Sequence, residues 1–351
     1  MDITQLLTDA VEKRASDIFI ISGMPVTYKI SENFVSGSEH KLMPDDTENL
    51  VTQIYKKSGD RDINRALNSG DDDFSFAIPG VSRFRVNIYK QRNSLAAVIR
   101  IIRFELPNPE EIGIPPVVMN LADRKKGLVL VTGTAGSGKS TTLACLVDRI
   151  NKTRSQHIVT LEDPLEYLHR HNLSIISQRE VMTDTESYVK ALRASLRQAP
   201  DVVLLGEMRD HETISVAMTA AETGHLVFST LHTVGAANTI DRVIDAFAAN
   251  QQNQIRVQLS MVLQAVVSQQ LVPTLDNKSA PAFEVMIVNN AVRNMIREAK
   301  IHQIDSVIHS SAAEGMITMD TSLINLYKQG VISDKTAISH SANQELMAKK
   351  L

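Results

Sequence analysis

A single cysteine stands among the 351 residues, and tryptophan is missing altogether. One thiol closes no disulfide within the chain and builds no zinc site from several thiolates. Aromatic side chains make up only 4% of the sequence. That leaves little material for base-stacking platforms or for an aromatic membrane belt. Neither sign of charge dominates, because 37 Lys and Arg against 40 Asp and Glu leave −3. A chain so close to neutrality is not a bulk polyanion binder, and no nucleic-acid partner is expected. No apolar run approaches the ~20 residues needed to span a bilayer. The opening Met1-Asp2-Ile3-Thr4-Gln5 also lacks the basic start of a secretory leader. The expectation is a cytoplasmic protein with no direct membrane insertion.

What remains is an ordinary globular mixture, 43% hydrophobic and 22% charged, long enough for about two domains. Near the start, Ile3, Leu6, Leu7, Ala10 and Val11 share one helical face. Asp17 to Ile21 reads as a strand ended by Gly23 and Pro25. Phe84, Val86 and Ile88 alternate with Arg83, Arg85, Asn87 and Tyr89, a period of two that predicts a half-buried strand. Leu95 to Ile102 is a further β-rich run. Pro107, Pro109, Pro115 and Pro116 then interrupt both helix and sheet. We place a linker at 104–115 between an N-terminal α+β domain, 1–103, and a larger domain, 116–289.

In the larger domain, short apolar strands at Leu128–Thr132, Ile158–Leu161, Val202–Leu205 and Leu226–Thr230 alternate with helical segments. That alternation predicts an α/β architecture with a mostly parallel sheet. Val257 to Val272 is the most apolar long stretch, broken by Gln258, Ser260, Gln264, Ser268, Gln269 and Gln270. It reads as a buried or interface helix. Residues 290–351 read as a helical C-terminal region.

The segment Gly133-Thr134-Ala135-Gly136-Ser137-Gly138-Lys139-Ser140 fits G-x-x-x-x-G-K-[ST]. It follows the apolar strand Gly127 to Thr132 and opens a helix at Thr141. Glycines let backbone N–H groups curl around a phosphate, and the helix N-terminus adds partial positive charge. Lys139 is placed to reach the terminal phosphates, and the Ser140 hydroxyl to ligate Mg²⁺. ATP and Mg²⁺ are therefore the expected ligands, with Gly133 to Thr141 as the nucleotide-binding residues.

Downstream, Thr160-Leu161-Glu162-Asp163-Pro164-Leu165-Glu166-Tyr167 puts three carboxylates at and just beyond a strand end, the ligand side of a doubly wound sheet. Asp201 to Glu207 is an apolar strand ending in an acid, with Gly206 where many NTPases place aspartate. Gly224 to Thr233 is a strand flanked by His225 and His232. His169 and His171 form an H-x-H pair that reads as a solvated surface pair rather than a metal site. Cys145, in the helix after the loop, reads as an inert core residue.

Together these segments resemble the secretion ATPases of type IV pili and type II secretion. Also similar are Gln178-Arg179-Glu180-Val181, Gly206 to Ile214, Thr219 to His225, Ala15-Ser16-Asp17 and Arg83 to Asn87. The chain is most similar to the retraction-type members. No additional N-terminal domain is expected, and one cysteine excludes the tetracysteine zinc insert of many assembly and secretion members. Ala291 to Lys300 is similar to a retraction-linked signature, with Ala299 in place of its glycine.

The resemblance implies a RecA-like P-loop ATPase domain with a small PAS-like N-terminal domain, working as a homo-hexamer. It implies pilus retraction powered by ATP hydrolysis, an inner-membrane platform protein as partner, and a second retraction ATPase as companion. An accessory ATPase, or a pilus-assembly or type II secretion ATPase, is the alternative. Glu166 is implied to polarise the attacking water. Glu207 is implied to hold Mg²⁺ or share the base role, and His232, with His225, to sense the γ-phosphate. Arg83, Arg85 and Arg100 are implied to reach the nucleotide, against a plainer reading of cross-strand pairing with Asp71-Asp72-Asp73. Arg179, Arg193, Arg197 and Arg209 are candidates for subunit contacts.

Overall fold

The computed structural model describes residues 1–30, 33–59, 61–102, 105–276 and 278–351. These divide into two compact units, 1–105 with 166–168, and 106–165 with 169–351. The expected linker begins at residue 104, and the expected first domain ends at 103. Both positions lie outside the described residues. The proline-rich stretch from Leu106 onward groups with the second unit. There Ile114 is buried in its core, and the Cys145 thiol donates to the Pro107 carbonyl at 3.7 Å. Burial raises that thiol to about 11, which keeps it protonated and unreactive.

The first unit is built on a six-stranded antiparallel sheet. Its strands are β1 (Asp17–Ile20), β2 (Thr27–Ile30), β3 (Asn33–Ser36), β4 (Asp71–Ile78), β5 (Ser82–Gln91) and β6 (Ser94–Ile102), in the order β3-β2-β1-β6-β5-β4. The alternation in β5 is realised in full. Phe84, Val86 and Ile88 are buried, while Arg83, Arg85 and Asn87 keep solvent contact. The buried face joins Ile3, Leu6 and Leu7 of the helix Ile3–Glu12 and Leu50, Val51 and Ile54 of the helix Pro44–Lys57 in one core. Arg92 and Asn93 join β5 to β6 with φ of 48° and 64°. Positive φ at both central residues is the two-residue hairpin turn whose twist matches its strands.

Asp72 anchors the edge of this unit. It accepts from Tyr55 Oη at 3.0 Å and from Arg61 Nε and Nη2 at 2.9 and 2.8 Å. Burial works to raise its pKa, but the Arg61 and Tyr55 hydrogen bonds outweigh it and leave the carboxyl below its ordinary value.

The second unit holds β7 (Gly127–Thr132), β8 (His157–Glu162), β9 (Ile175–Glu180), β10 (Val202–Leu205), β11 (Leu226–Leu231), β12 (Leu263–Pro273) and β13 (Ser279–Ile287). Their order is β13-β12-β7-β11-β10-β8-β9. Every neighbouring pair is parallel except β12 with β13. Strands buried on both faces are continuously apolar, and β7 shows why. Leu128 and Leu130 enter one core with Ile214, Ile240 and Leu259. Val129 and Val131 enter the other with Leu143, Leu146 and Ile150 of the helix Lys139–Thr153.

The stretch Val257–Val272 is not one helix. The helix Gln252–Val262 ends and β12 begins at Leu263. Leu263 and Val266 belong to one core, Ala265 and Val267 to the other. A register shift between Leu263 and Ala265 produces this placement. A short apolar run buried on both sides carries no period that separates strand from helix.

The C-terminal region is helical, as expected. Asn290–Arg297, Ile304–Ser310, Met319–Lys328, Asp334–His340 and Gln344–Lys350 are helices. After the first of these, Ala299 takes φ 58°. Lys300 N–H bonds the Met295 carbonyl at 2.8 Å and Ala299 N–H the Ile296 carbonyl at 3.4 Å, the pattern of a left-handed helix stop usually made with glycine.

Two stability outcomes follow. Left-handed backbone costs an L-residue roughly 1–2 kcal/mol, partly offset by the larger unfolded entropy of glycine. Ala299→Gly should therefore raise the unfolding free energy by up to about 1 kcal/mol, seen as a higher urea midpoint. An unchanged midpoint would show Ala299 to be unstrained. Asp72→Asn should cost about 2 kcal/mol at neutral pH, the scale of hydrogen bonds to a charged group. Because the native pKa is lowered, this contribution is complete above the ordinary aspartate value. It is lost as pH falls through the native one. Urea titrations at neutral and acid pH should show the deficit of Asp72→Asn shrinking on acidification.

Candidate nucleotide site

The phosphate-type loop leaves β7 at Thr132 and enters the helix Lys139–Thr153. Its glycines are dictated by a neighbour. Gly133 has φ 141°, and a Cβ there would lie 2.1 Å from the Gln269 carbonyl oxygen. At Gly138, φ 85°, a Cβ would lie 2.8 Å from Gln269 Nε2. Gln269 is 4% exposed and accepts from Thr142 Oγ1 at 2.7 Å. Thus β12 braces the loop from beneath and the helix from its first turn. Sequence reading missed Gln269, because a glutamine inside an apolar strand carries no periodic signal.

Lys139 is 8% exposed. Its ammonium turns back to donate to the Gly133 and Thr134 carbonyls, both at 2.8 Å. Ser137 Oγ is buried and has no hydrogen-bond partner among the described residues. Ser140 and Thr141 occupy the first helical turn, both half-buried. The loop Gly133, Thr134, Ala135, Gly136, Ser137, Gly138 thus forms a backbone cradle with one unsatisfied hydroxyl and one re-aimable ammonium. That is the donor set an anion of phosphate type takes.

Parallel register sets which side chains share this edge. Thr132 lies opposite Leu231, and Leu205 opposite both Ser229 and Leu161. The next residues, Gly133, His232, Gly206 and Glu162, therefore leave the sheet at one edge, with Glu207 beside them. Thr230 Oγ1 donates to the Gly206 carbonyl at 2.6 Å, and Met208 N–H to the Thr230 carbonyl at 3.1 Å. These bonds tie the end of β10 to β11. Glu207 has 11% of its side chain exposed and pairs through Oε1 with Arg209 at 2.6 Å. Its Oε2 is 3.5 Å from His232 Nε2, and it is buried without a hydrogen bond. His232 itself is 56% exposed.

Gly206 stands where an aspartate was weighed, and packing explains the glycine. A Cβ there would meet Tyr188 Oη at 2.6 Å and the Leu161 carbonyl at 3.2 Å. Tyr188 opens the helix Tyr188–Ser195 and was not singled out from the sequence. Burial, then the carboxylates of Asp163, Glu207 and Glu162, push its phenol above the ordinary range.

His225 is not brought to this edge. It precedes β11, so the whole strand separates it from His232, about 20 Å at ~3.3 Å per residue. Its Nδ1 lies 2.9 Å from the Ala220 carbonyl, and its carbonyl accepts from Gly127 N–H at 2.9 Å. Parallel strands place their two ends on opposite edges, so flanking one strand does not make two histidines neighbours. Glu166 is exposed and groups with the first unit.

Among the first unit's candidate arginines, Arg85 and Arg100 have acidic partners. Arg85 pairs with Asp73 at 2.7 Å and Arg100 with Asp17 at 3.0 Å. Arg85 and Arg100 are themselves cross-strand neighbours, so a row Asp73, Arg85, Arg100, Asp17 crosses four strands with balanced charge. Arg83 is half-buried on β5. Arg193 pairs with Glu212 at 2.8 Å. Arg197 and Arg179 donate to the Arg193 and Asp184 carbonyls at 3.2 and 3.1 Å. His171 is exposed, as a solvated surface residue would be, but His169 is half-buried. Burial lowers His169 to about 4, and His171 Nδ1 accepts from Ile176 N–H at 3.0 Å.

Comparison with known proteins agrees with this architecture. A family model described as type II/IV secretion system protein matches residues 1–349. The type IV pilus retractation ATPase PilT of Pseudomonas aeruginosa is 43% identical over 337 residues, covering 96% of this chain and 97% of that protein. The twitching motility protein of Neisseria gonorrhoeae is 46% identical over 309 residues, 88% of this chain and 82% of its own. A crystal structure of the pilus retraction motor PilT with bound ADP superposes with a TM-score of 0.90 at 44% identity, covering 99% of this chain and 98% of that one. By matches that run nearly end to end, the chain belongs to the type II/IV secretion system protein family.

Proposed function

We propose that this chain is a retraction motor of type IV pili that hydrolyses ATP to ADP and phosphate. The observation that carries the reading is the cradle of Gly133 to Thr141 on Gln269, with Glu207 and His232 on the same sheet edge. The full-length likeness to retraction ATPases supports it. The second unit is read as RecA-like, from its parallel sheet and the loop after β7. The first is read as PAS-like, from its antiparallel sheet backed by helices.

In this reading, backbone N–H groups of the loop hold the phosphates. Lys139 leaves its two carbonyls for the β- and γ-phosphates, a stronger, charge-assisted pairing. Ser140 and Glu207 would supply the hard oxygen donors that Mg²⁺ takes, and that ion would supply charge neutralisation at the phosphates. The buried, unpartnered Glu207 Oε2 fits that assignment. Glu166 and Glu207 orient the attacking water, and His232 donates to the γ-phosphate. Arg83, Arg85 and Arg100 contribute cationic charge, Arg85 and Arg100 by exchanging the carboxylates of Asp73 and Asp17 for phosphate. A homo-hexamer, docked on an inner-membrane platform protein at the cytoplasmic face and working with a second retraction ATPase, completes the proposal. Among the described residues no helix is long and apolar enough to cross a membrane, which fits docking through a partner.

An accessory role is the second reading, favoured by 38% identity over 100% of the chain to the type IV pilus ATPase PilU of Pseudomonas aeruginosa.

Lys139→Ala should lose phosphate release by two orders of magnitude or more, roughly the loss of a main electrostatic stabiliser, with an unchanged thermal midpoint. Normal turnover in that variant would remove the site assignment. Glu207→Gln should behave likewise, with ATP still bound in a fluorescent-nucleotide assay. In cells, deletion should leave pili abundant but static. Absence of pili would assign assembly instead, and retraction that continues would assign the accessory role.

A further inference from the structure

His232 follows β11 with its side chain exposed, so packing does not fix the ring. Its place depends on the backbone on either side. Before it, Leu231 is paired in the sheet with Thr132. After it, Thr233 and Val234 lead to Gly235, where the helix Ala236–Asp245 begins. A helix start leaves backbone N–H groups that need acceptors, and a glycine N-cap has no side chain to offer them. The neighbouring strands fill that need. Gly235 N–H donates to Ser268 Oγ of β12 at 2.9 Å, and Ala236 N–H to Glu284 Oε1 of β13 at 2.7 Å.

Sheet register brings these two acceptors together. Ser268 and Glu284 lie directly opposite each other in the antiparallel pair of β12 and β13, so their side chains share one face. Phe283 and Val285 enter the core of Leu143 and Leu146, and Met286 the core of Ile240 and Val243. Alternation therefore puts Glu284 on the Met286 side, the side of the helix that carries Ile240. A carboxylate set between Phe283 and Val285 is costly unless it is bonded. Here it meets a helix N-terminus, whose dipole favours negative charge. The other oxygen, Oε2, accepts from Met319 N–H at 3.5 Å. The hydroxyls of Thr233 and Thr239 lie 2.8 Å apart, and Thr239 Oγ1 donates to the Gly235 carbonyl at 2.7 Å. The chain leaving His232 is thus held at 233, 235 and 236.

We infer that Glu284 is a positioning residue of the ATPase site: with Ser268 it clamps the helix start after His232 and keeps that imidazole at the phosphate edge, 3.5 Å from Glu207. This rests on the ATPase reading above.

Glu284→Ala should lower kcat about tenfold, a moderate loss for a reacting group displaced from a distance. KM for ATP, set at the loop Gly133 to Thr141, should stay as in the wild type. Glu284→Gln keeps an oxygen for Ala236 N–H and should recover most of the kcat. A carboxylate that serves stability alone would lower the thermal midpoint and leave kcat unchanged, which overturns the inference. A loss confined to KM, or no recovery with glutamine, overturns it too. A double-mutant cycle with His232→Ala tests the route. It is read by single-turnover phosphate release with enzyme in excess, so that slow variants remain measurable. In the His232→Ala background Glu284→Ala should cost nothing further. Equal losses in both backgrounds would show that Glu284 does not act through His232, and a His232→Ala enzyme as fast as the wild type would show the same. Should Glu284→Ala not fold, Ser268→Ala takes its place in the cycle, with the same dependence on His232 expected. A wild type without turnover would take the ATPase reading with it. An active wild type with equal losses sinks this inference alone.

Discussion

Thr132 stands opposite Leu231, and Leu205 opposite both Leu161 and Ser229. Nothing about the site survives a change in that register. A slip of one residue would turn every side chain of a strand to the other face. Here it would exchange the residues feeding the two cores, Leu128 and Leu130 for Val129 and Val131. Burial on both faces is thus what locks the register, and the register is what delivers Gly133, His232, Glu162 and Glu207 to one edge. The same rule removes His225, which the parallel direction of β11 places at the opposite edge.

Within that frame, two close approaches shape the edge. The Gln269 carbonyl lies where a Cβ at 133 would be, and the Tyr188 hydroxyl where a Cβ at 206 would be. Each glycine is the counterpart of an oxygen brought from a different element, a backbone carbonyl at 133 and a phenol at 206. Gln269 reaches its place because the register of β12 shifts between Leu263 and Ala265, after which Ser268 pairs with Thr132. Ser268 Oγ also accepts from Gly235 N–H at 2.9 Å, so the segment after His232 is tied to the same strand that braces the loop.

What was legible in the sequence follows from range. The loop Gly133 to Ser140 and its flanking strand and helix are contiguous, and local pattern carries them. The alternation Phe84, Val86, Ile88 is local too. Gln269 and Tyr188 matter because of residues 136 and 18 positions away, Gly133 and Gly206, and no spacing rule encodes such pairs. The stretch of β12 reads as helix in the sequence because its burial on both faces erases the period. Ala299 was legible as a departure from glycine, while its left-handed backbone supplies the reason glycine is the natural occupant. The row Asp73, Arg85, Arg100, Asp17 needed strand order. Sequence offered Asp71-Asp72-Asp73 as partners, and Asp73 is one, but Asp17 comes from β1, which only the sheet topology places beside β6.

The resting partners of the charged groups also say what a ligand must do. Lys139 spends its ammonium on two neutral carbonyls, and Glu207 one oxygen on an arginine that is 74% exposed. Neither partnership is deep. Carbonyl acceptors are weaker than phosphate oxygens for an ammonium, and an ion pair with a solvent-exposed arginine contributes little. A polyphosphate entering the cradle therefore offers Lys139 stronger acceptors than these carbonyls. It also gives Ser137 Oγ, buried and without a hydrogen bond, a polar partner. The first unit's arginines differ, since Arg85 already has a carboxylate. Recruiting it means giving up a charge pair, not a neutral acceptor. The cradle is thus built to take a phosphate readily, whereas Arg85 rests in a charge pair of its own.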